Sequence, residues 1–294
     1  MTTPAPVAVG YDGSDNSGEA VGYAAVEARL HDRPLLVVHV MPEPQFGFTG
    51  DMVTHWEGAG RPGRDPAAQL RARAADCVRR WAPDQPVDFS FIEATTVSGE
   101  LVDRSRDWAS LVMGSRGHGG FAGLMLGSTS WTVAAHAHCP VVVVRPSPDR
   151  AGPGPVVVGV EGAEQGSAVL RFAFETASLR ALPLTAVYAW RHPVSEGPGD
   201  MLPLVYDEQA LEQEAEAMLS EAVAGWRDKY SDVDVTLRAV RGRPRQVLLE
   251  AGRDAELVVV GSRGHGGFAG MLLGSTSQAL LHHAETSVAV VHGD

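Results

Sequence analysis

One lysine serves the whole chain. Lys229 stands alone among 24 Lys and Arg residues in 294, and 36 acidic side chains leave a formal charge of -12. A Walker-type phosphate loop needs Gly-Lys-Ser/Thr, and Lys229 lies instead near the end of a long helical pattern in the second half. The scarcity of positive charge also argues against nucleic acid or an anionic membrane surface as partner, because neither would find a basic stripe. Cysteine is nearly as rare: Cys77 and Cys139 cannot build a disulfide framework. Cys77 shares a helical spacing with Leu70, Ala74, Val78 and Trp81, which predicts a core position. No apolar run approaches the length of a membrane span. Residues 1–18 have neither the basic start nor the apolar middle of a signal peptide, which predicts a cytoplasmic protein.

Glycine is abundant, and it recurs in order. The ten residues GSRGHGGFAG begin at Gly114 and begin again at Gly261. With 44% hydrophobic residues the chain is long enough for two domains of common size. β-rich runs at 7–11, 35–40, 88–94, 111–113 and 141–144 are separated by helical patterns near 14–30, 65–81, 99–107 and from 128. The second half repeats the order, with strands expected at 156–160, 183–189, 233–240, 257–260 and 288–291. Continuous apolar runs alternating with helices predict an α/β fold with parallel sheets. The Pro- and Gly-rich stretch 145–155 marks the boundary, giving domains 1–147 and 155–294 around a linker at 148–154. The longer segments 41–64 and 191–205 read as loops.

In the second half Leu211, Ala215, Met218, Leu219, Ala222 and Trp226 form one helical stripe, with Glu212, Glu214, Glu216 and Glu221 mainly off it. Its first-half counterpart carries Arg71, Arg73, Arg79 and Arg80. The opposite charges suit either a contact between the repeats or, as charged helix faces more often are, solvated faces.

Each glycine loop follows an apolar strand and leads into Gly-Ser-Thr-Ser, a plausible helix start. Converging backbone N–H groups and a hydroxyl from Ser128 or Ser275 suit an anion, phosphate above all. A tight strand-to-helix turn would also use these glycines. The segment from Gly117 to Ala122 meets the permissive dinucleotide pattern, yet it follows a fourth strand and lacks the acidic residue about twenty positions on. His118 and His265 occupy equivalent positions without a base-orienting group, so they read as polar loop residues and no catalytic residue is assigned. Arg116 and Arg263 suit phosphate contact or a solvated loop. His136, His138 and Cys139 fall short of a zinc set, since the second half offers His282 and His283 without a matching cysteine.

Longer signatures carry a family resemblance. Gly-x-x-Gly-x9-Gly-Ser runs through Gly114, Gly117, Gly127 and Ser128, and again through Gly261, Gly264, Gly274 and Ser275. Val9-Gly10-Tyr11-Asp12-Gly13-Ser14 opens the first half, and His138-Cys139-Pro140 precedes its last strand. In these residues the chain resembles the universal stress protein family, in its tandem ATP-binding form, over nearly its whole length. The resemblance implies two five-stranded parallel sheets of order 3-2-1-4-5 with helices on both faces. It places ATP, with or without Mg, beyond the ends of strands one and four, where that order puts the topological switch point.

Further implications are residue by residue. Asp12 would recognise the adenine or ribose side, and the backbone of Val40 would line the base pocket. Gly114 and Gly117 would admit ribose and phosphates, with Arg116 and His118 beside them. Gly127, Ser128 and Thr129 would bind phosphates. Gly261, Arg263, Gly264, His265, Gly274, Ser275 and Thr276 repeat these roles, but Glu161 replaces the aspartate and Ala163 the serine, which predicts weaker or altered binding in the second half. The function implied is nucleotide-dependent stress or signalling regulation with little turnover. The alternatives are a slow ATPase, a self-phosphorylating enzyme or a cyclic AMP binder. The family pattern also implies pairing of the final strands, here within one chain, and allows a homodimer and a protein partner of unknown identity.

Overall fold

Valine-rich runs become strands, and the longer 3.6-periodic segments become helices. The computed structural model describes residues 4–42, 65–117, 126–146, 153–162, 167–191, 207–263 and 272–293. The first half runs β1 (Val7–Gly10), α1 (Asp15–Leu30), β2 (Leu35–Pro42), α2 (Pro66–Trp81), β3 (Val87–Ala94), α3 (Val97–Arg104), β4 (Ser110–Gly114), α4 (Ser128–His136) and β5 (Val141–Val144). A 3-10 turn at Ser105–Asp107 follows α3. The second half runs β6 (Val156–Gly159), α5 (Ser167–Arg180), β7 (Leu184–Trp190), α6 (Glu208–Lys229), β8 (Val235–Arg241), α7 (Pro244–Ala251), β9 (Leu257–Gly261), α8 (Ser275–His283) and β10 (Ser287–Val291). The chain divides into two compact units, Met1–Pro146 and Ser147–Asp294. Most of the expected linker, 148–152, and most of the two long loops lie outside the described residues.

Within the first unit the strands lie in the order β3-β2-β1-β4-β5, all parallel, with Val7 of β1 opposite both Leu35 and Ser110. Within the second the order is β8-β7-β6-β9-β10, with Val156 of β6 opposite Leu184 and Leu257. Right-handed crossovers then dictate the layers. The chain steps one way from β1 to β3 and the other way from β4 to β5, so α1 and α2 pack together on one face while α3 and α4 pack together on the other. The second unit pairs α5 with α6 and α7 with α8 in the same way.

Burial follows from this layering. All four residues of β5 are buried, as are Leu111 to Gly114 of β4, because helices cover both faces. The edge strands β3 and β8 have no buried position, only partly exposed and exposed ones. Local chemistry sets the helix starts: Ser14 and Asp65 cap α1 and α2, and Asp207 caps α6 through Ala210 N–H at 3.1 Å. The first helix of each unit ends on a left-handed residue, Asp32 (φ 50°) or Ala181 (φ 51°). Backbone bonds from Arg33 to Ala28 (2.8 Å) and from Leu182 to Ala177 (2.9 Å) close the two ends identically.

The expected helical stripes hold in part. On α6, Ala215, Leu219 and Val223 are buried and the four glutamates named above are exposed. Arg71, Arg73, Arg79 and Arg80 of α2 are likewise exposed, and the Arg71 guanidinium lies 5.5 and 5.4 Å from the ring centres of Phe89 and Phe91. The core position expected for Cys77 needs correction. Ala74 and Val78 are the buried residues of α2, whereas Cys77 is half-buried and Trp81 is 51% exposed. Helix α2 meets α1 off-centre: the Trp81 ring lies over Gly22, where any Cβ would stand 2.5 Å from Cδ1.

Phe174 is fully buried on α5 and packs against Trp226 and Tyr230 of the α6 end, with ring centres 6.2 and 5.9 Å away. Phe174→Ala should cost about 3–5 kcal/mol of second-unit stability in denaturant unfolding. Exposed Glu216→Ala should stay within about 0.5 kcal/mol.

Candidate functional site at the ends of β1 and β4

Strand β1 stops at Gly10, while β2 runs on to Pro42. Tyr11 N–H donates to Val38 O at 2.9 Å, so Val38 turns its polar backbone toward β1. By strand alternation Val40 presents its N–H and C=O to the same side, beyond the point where β1 has ended. His39 Nδ1 lies 2.7 Å from Tyr11 O, tying the turn to β2. The end of β1, between β2 and β4, is the topological switch point, the place where open α/β sheets form a ligand crevice.

Asp12 enters that crevice on a built turn. Its Oδ1 accepts from Ser14 N–H at 3.0 Å and from Ser14 Oγ at 2.6 Å. Ser14 Oγ in turn accepts from Ser17 N–H at 3.3 Å, which starts α1. Gly13 sits at φ 90°, a conformation that favours glycine. Asp12 thus orders the turn, and its exposed carboxylate faces Gly117.

The opposite wall is β4 and its continuation. A Cβ on Gly114 would stand 2.8 Å from the backbone oxygen of Asn16, so only glycine lets α1 lie this close to β4. A Cβ on Gly117 would overlap Asp12 Oδ2. The loop is anchored at both ends: Ser115 N–H donates to Val144 O (3.0 Å), Gly127 N–H to Ser115 O (2.8 Å), and buried Ser130 Oγ to Gly114 O (2.7 Å). Helix α4 then starts at Gly127 with no side-chain cap. Its first amides have no intrahelical acceptor, and exposed Ser128 and half-buried Thr129 flank them.

The second unit repeats the anchoring. Ser262 N–H donates to Val291 O (2.8 Å), Gly274 N–H to Ser262 O (2.7 Å), and Ser277 Oγ to Gly261 O (2.5 Å). Gly274 starts α8 without a side-chain cap, with Ser275 exposed and Thr276 half-buried. Gly162 has φ 63°, so a left-handed glycine follows Glu161 as Gly13 follows Asp12. His118, Gly264 and His265 lie outside the described residues. Arg116 and Arg263 are both exposed at the loop entrances.

Arg145, read from sequence merely as the start of the linker, stands after β5 near Arg116. Burial pulls its guanidinium below its usual pKa, and the Arg116 charge adds to the effect. A cation directly after a terminal strand is the signal that would have found it. His136 Nδ1 lies 2.8 Å from Thr132 O, and Cys139 is buried. Among the described residues no three His, Cys, Asp or Glu side chains converge as a metal site requires, and no helix is long and apolar enough to cross a membrane.

The arrangement matches known proteins along its length. The model of the Universal stress protein family matches residues 5–145 and 154–292. A universal stress protein of Mycobacterium tuberculosis (strain ATCC 25618 / H37Rv) is 37% identical over 296 residues, covering 97% of this chain and 95% of that one. One from Mycolicibacterium smegmatis is 36% identical over 289 residues, covering 97% and 96%. The solved structure of a universal stress protein from Archaeoglobus fulgidus shares the fold at a TM-score of 0.66 and 19% identity, over 99% of this chain and 98% of that chain.

Two outcomes test the geometry. Gly114→Ala sets a methyl against backbone and should cost about 1–3 kcal/mol of first-unit stability in denaturant unfolding. Burial pushes the Tyr11 phenol up to about 12, with smaller contributions from Cys77, Asp12 and Asp15 opposed by Arg73. Because the folded value exceeds the ordinary phenol value of 10.0, this stability is complete below pH 10 and is lost as pH rises toward 12. Unfolding free energies measured across that window should fall less steeply in Tyr11→Phe.

Proposed function

The chain belongs to the universal stress protein family, and on that premise we propose that its first domain is an ATP-binding switch. ATP lies over the end of β1, with Asp12 at the ribose or adenine, the Val40 backbone along the base, and the triphosphate against the Gly127, Ser128 and Thr129 amides. Mg2+ accompanies the phosphates. Occupancy favours the state with higher affinity for nucleotide and so changes what a protein partner meets, serving a stress or signalling response with little turnover.

The observation that carries this reading is the pairing of a fixed carboxylate with a glycine that leaves it room. Asp12 is held by Ser14, Gly117 stands against it, and the uncapped start of α4 lies on the same loop. Those parts match the two ends of a nucleotide, one polar and neutral, the other anionic. The second domain keeps its phosphate end at Gly274, Ser275 and Thr276 but carries Glu161 and Ala163 at the other. It therefore binds nucleotide more weakly.

Calorimetric titration with ATP tests the assignment. The full chain should show one tighter site, weakened at least about tenfold by Gly127→Ala/Ser128→Ala, a loss of about 1.4 kcal/mol. Gly274→Ala/Ser275→Ala should affect a weaker phase. Phosphate release on the same samples should be negligible. Absence of ATP binding would sink the reading, rapid phosphate release would make the protein an ATPase, and tighter competition by cyclic AMP would change the ligand.

A further inference from the structure

On the side of the second sheet partly covered by α7, a groove of about 290 Å³ lies between α7 and the edge strand β8. Apolar residues contribute Val187 of β7, Val240 of β8 and Val247 of α7, and polar ones include Arg238, Arg243 and Gln246. The turn joining β8 to α7 closes on this groove. Gly242 N–H donates to Trp190 O at 2.9 Å, and a Cβ on Gly242 would meet Val247 Cγ2 at 2.7 Å.

Its charges are unequally balanced. Arg241 pairs with Glu208 at 2.7 Å, and Glu250 is engaged by Arg253 at 2.8 Å. Arg238 and Arg243 are exposed, and among the described residues neither has an ion pair or a side-chain hydrogen bond. Two uncompensated guanidiniums beside apolar surface run against the -12 charge of the chain.

The duplication supplies an internal comparison. Arg238 stands opposite Val187 in β7 as Ser90 stands opposite Val38 in β2. Arg243 precedes α7 at the position where Thr96 precedes α3. The first unit builds the same strand, turn and helix without either cation, so the architecture does not require them.

We propose that this groove binds a small organic anion, a phosphate monoester or carboxylate with a compact apolar body. Arg238 and Arg243 hold the anion, since a planar guanidinium can donate two parallel N–H bonds to such a group. Val187, Val240 and Val247 receive the apolar part. The volume sits near the lower end for small-molecule sites, roughly 300 Å³, which suits a compact ligand better than a peptide. None of these residues belongs to the glycine-loop site, and the assignment stands apart from the nucleotide reading.

The test is a titration of the full 15N-labelled chain with phenyl phosphate, followed by amide NMR, with inorganic phosphate and phenol as partial ligands. Saturable shifts should appear at Val187 and across 238–251, with phenyl phosphate tighter than inorganic phosphate and phenol silent. Arg238→Ser/Arg243→Thr, which installs the first-unit residues, should lose at least about tenfold in affinity with an unchanged spectrum in the core strands. Shifts confined to 261–263 and 274–276 would place the anion in the glycine loop and overturn the proposal. Unaltered affinity in the double variant, or no saturation, would also overturn it. Equal binding of inorganic phosphate would remove the apolar half and refute an organic anion.

Discussion

A single serine hydroxyl turned back onto a strand end holds the candidate site together. Ser130 leaves the first turn of α4 and donates to Gly114 O, the last carbonyl of β4. That bond, with Gly127 N–H on Ser115 O, brings the exit and return of the glycine loop within one residue of each other. Whatever the loop does, its two ends are clamped by the packed core: Ser115 is buried, and its amide is committed to Val144. The uncapped start of α4 is consequently held at a height set by the sheet. The second unit repeats the clamp through Ser277 and Ser262, which separates this device from the residues that differ between the copies.

The differences lie at the rims of a shared scaffold. In both units the strand order, the crossovers, the left-handed close of the first helix and the serine clamp coincide. Asp12 gives way to Glu161 and Ser14 to Ala163 at one rim. Ser90 and Thr96 give way to Arg238 and Arg243 along the outer edge. A buried Val or Leu answers to close packing from every side, and its replacement leaves a cavity or a clash. An exposed rim residue answers mainly to solvent and ligand, so duplicated copies can diverge there at small cost in stability.

Sequence alone was enough for the elements and their types. Strands such as Val141–Val144 are continuous apolar runs, and α1 and α2 announce themselves through Ser14 and Asp65 beside periodic patterns, because strand burial and helix capping are local properties. The repeated glycines marked the loops, and the resemblance they carry anticipated the strand order. Tertiary structure decided what depends on distance through space. Cys77 and Trp81 share a stripe with Ala74 and Val78, yet the off-centre approach of α1 leaves Trp81 half in solvent. Gly117 meets Asp12 across a separation of 105 positions, the Arg145 guanidinium comes near Arg116, and two ordinary surface arginines border one groove. Periodicity reports which side of an element is apolar; the packing of neighbouring elements determines how much of that side is covered and which distant residues come to share it.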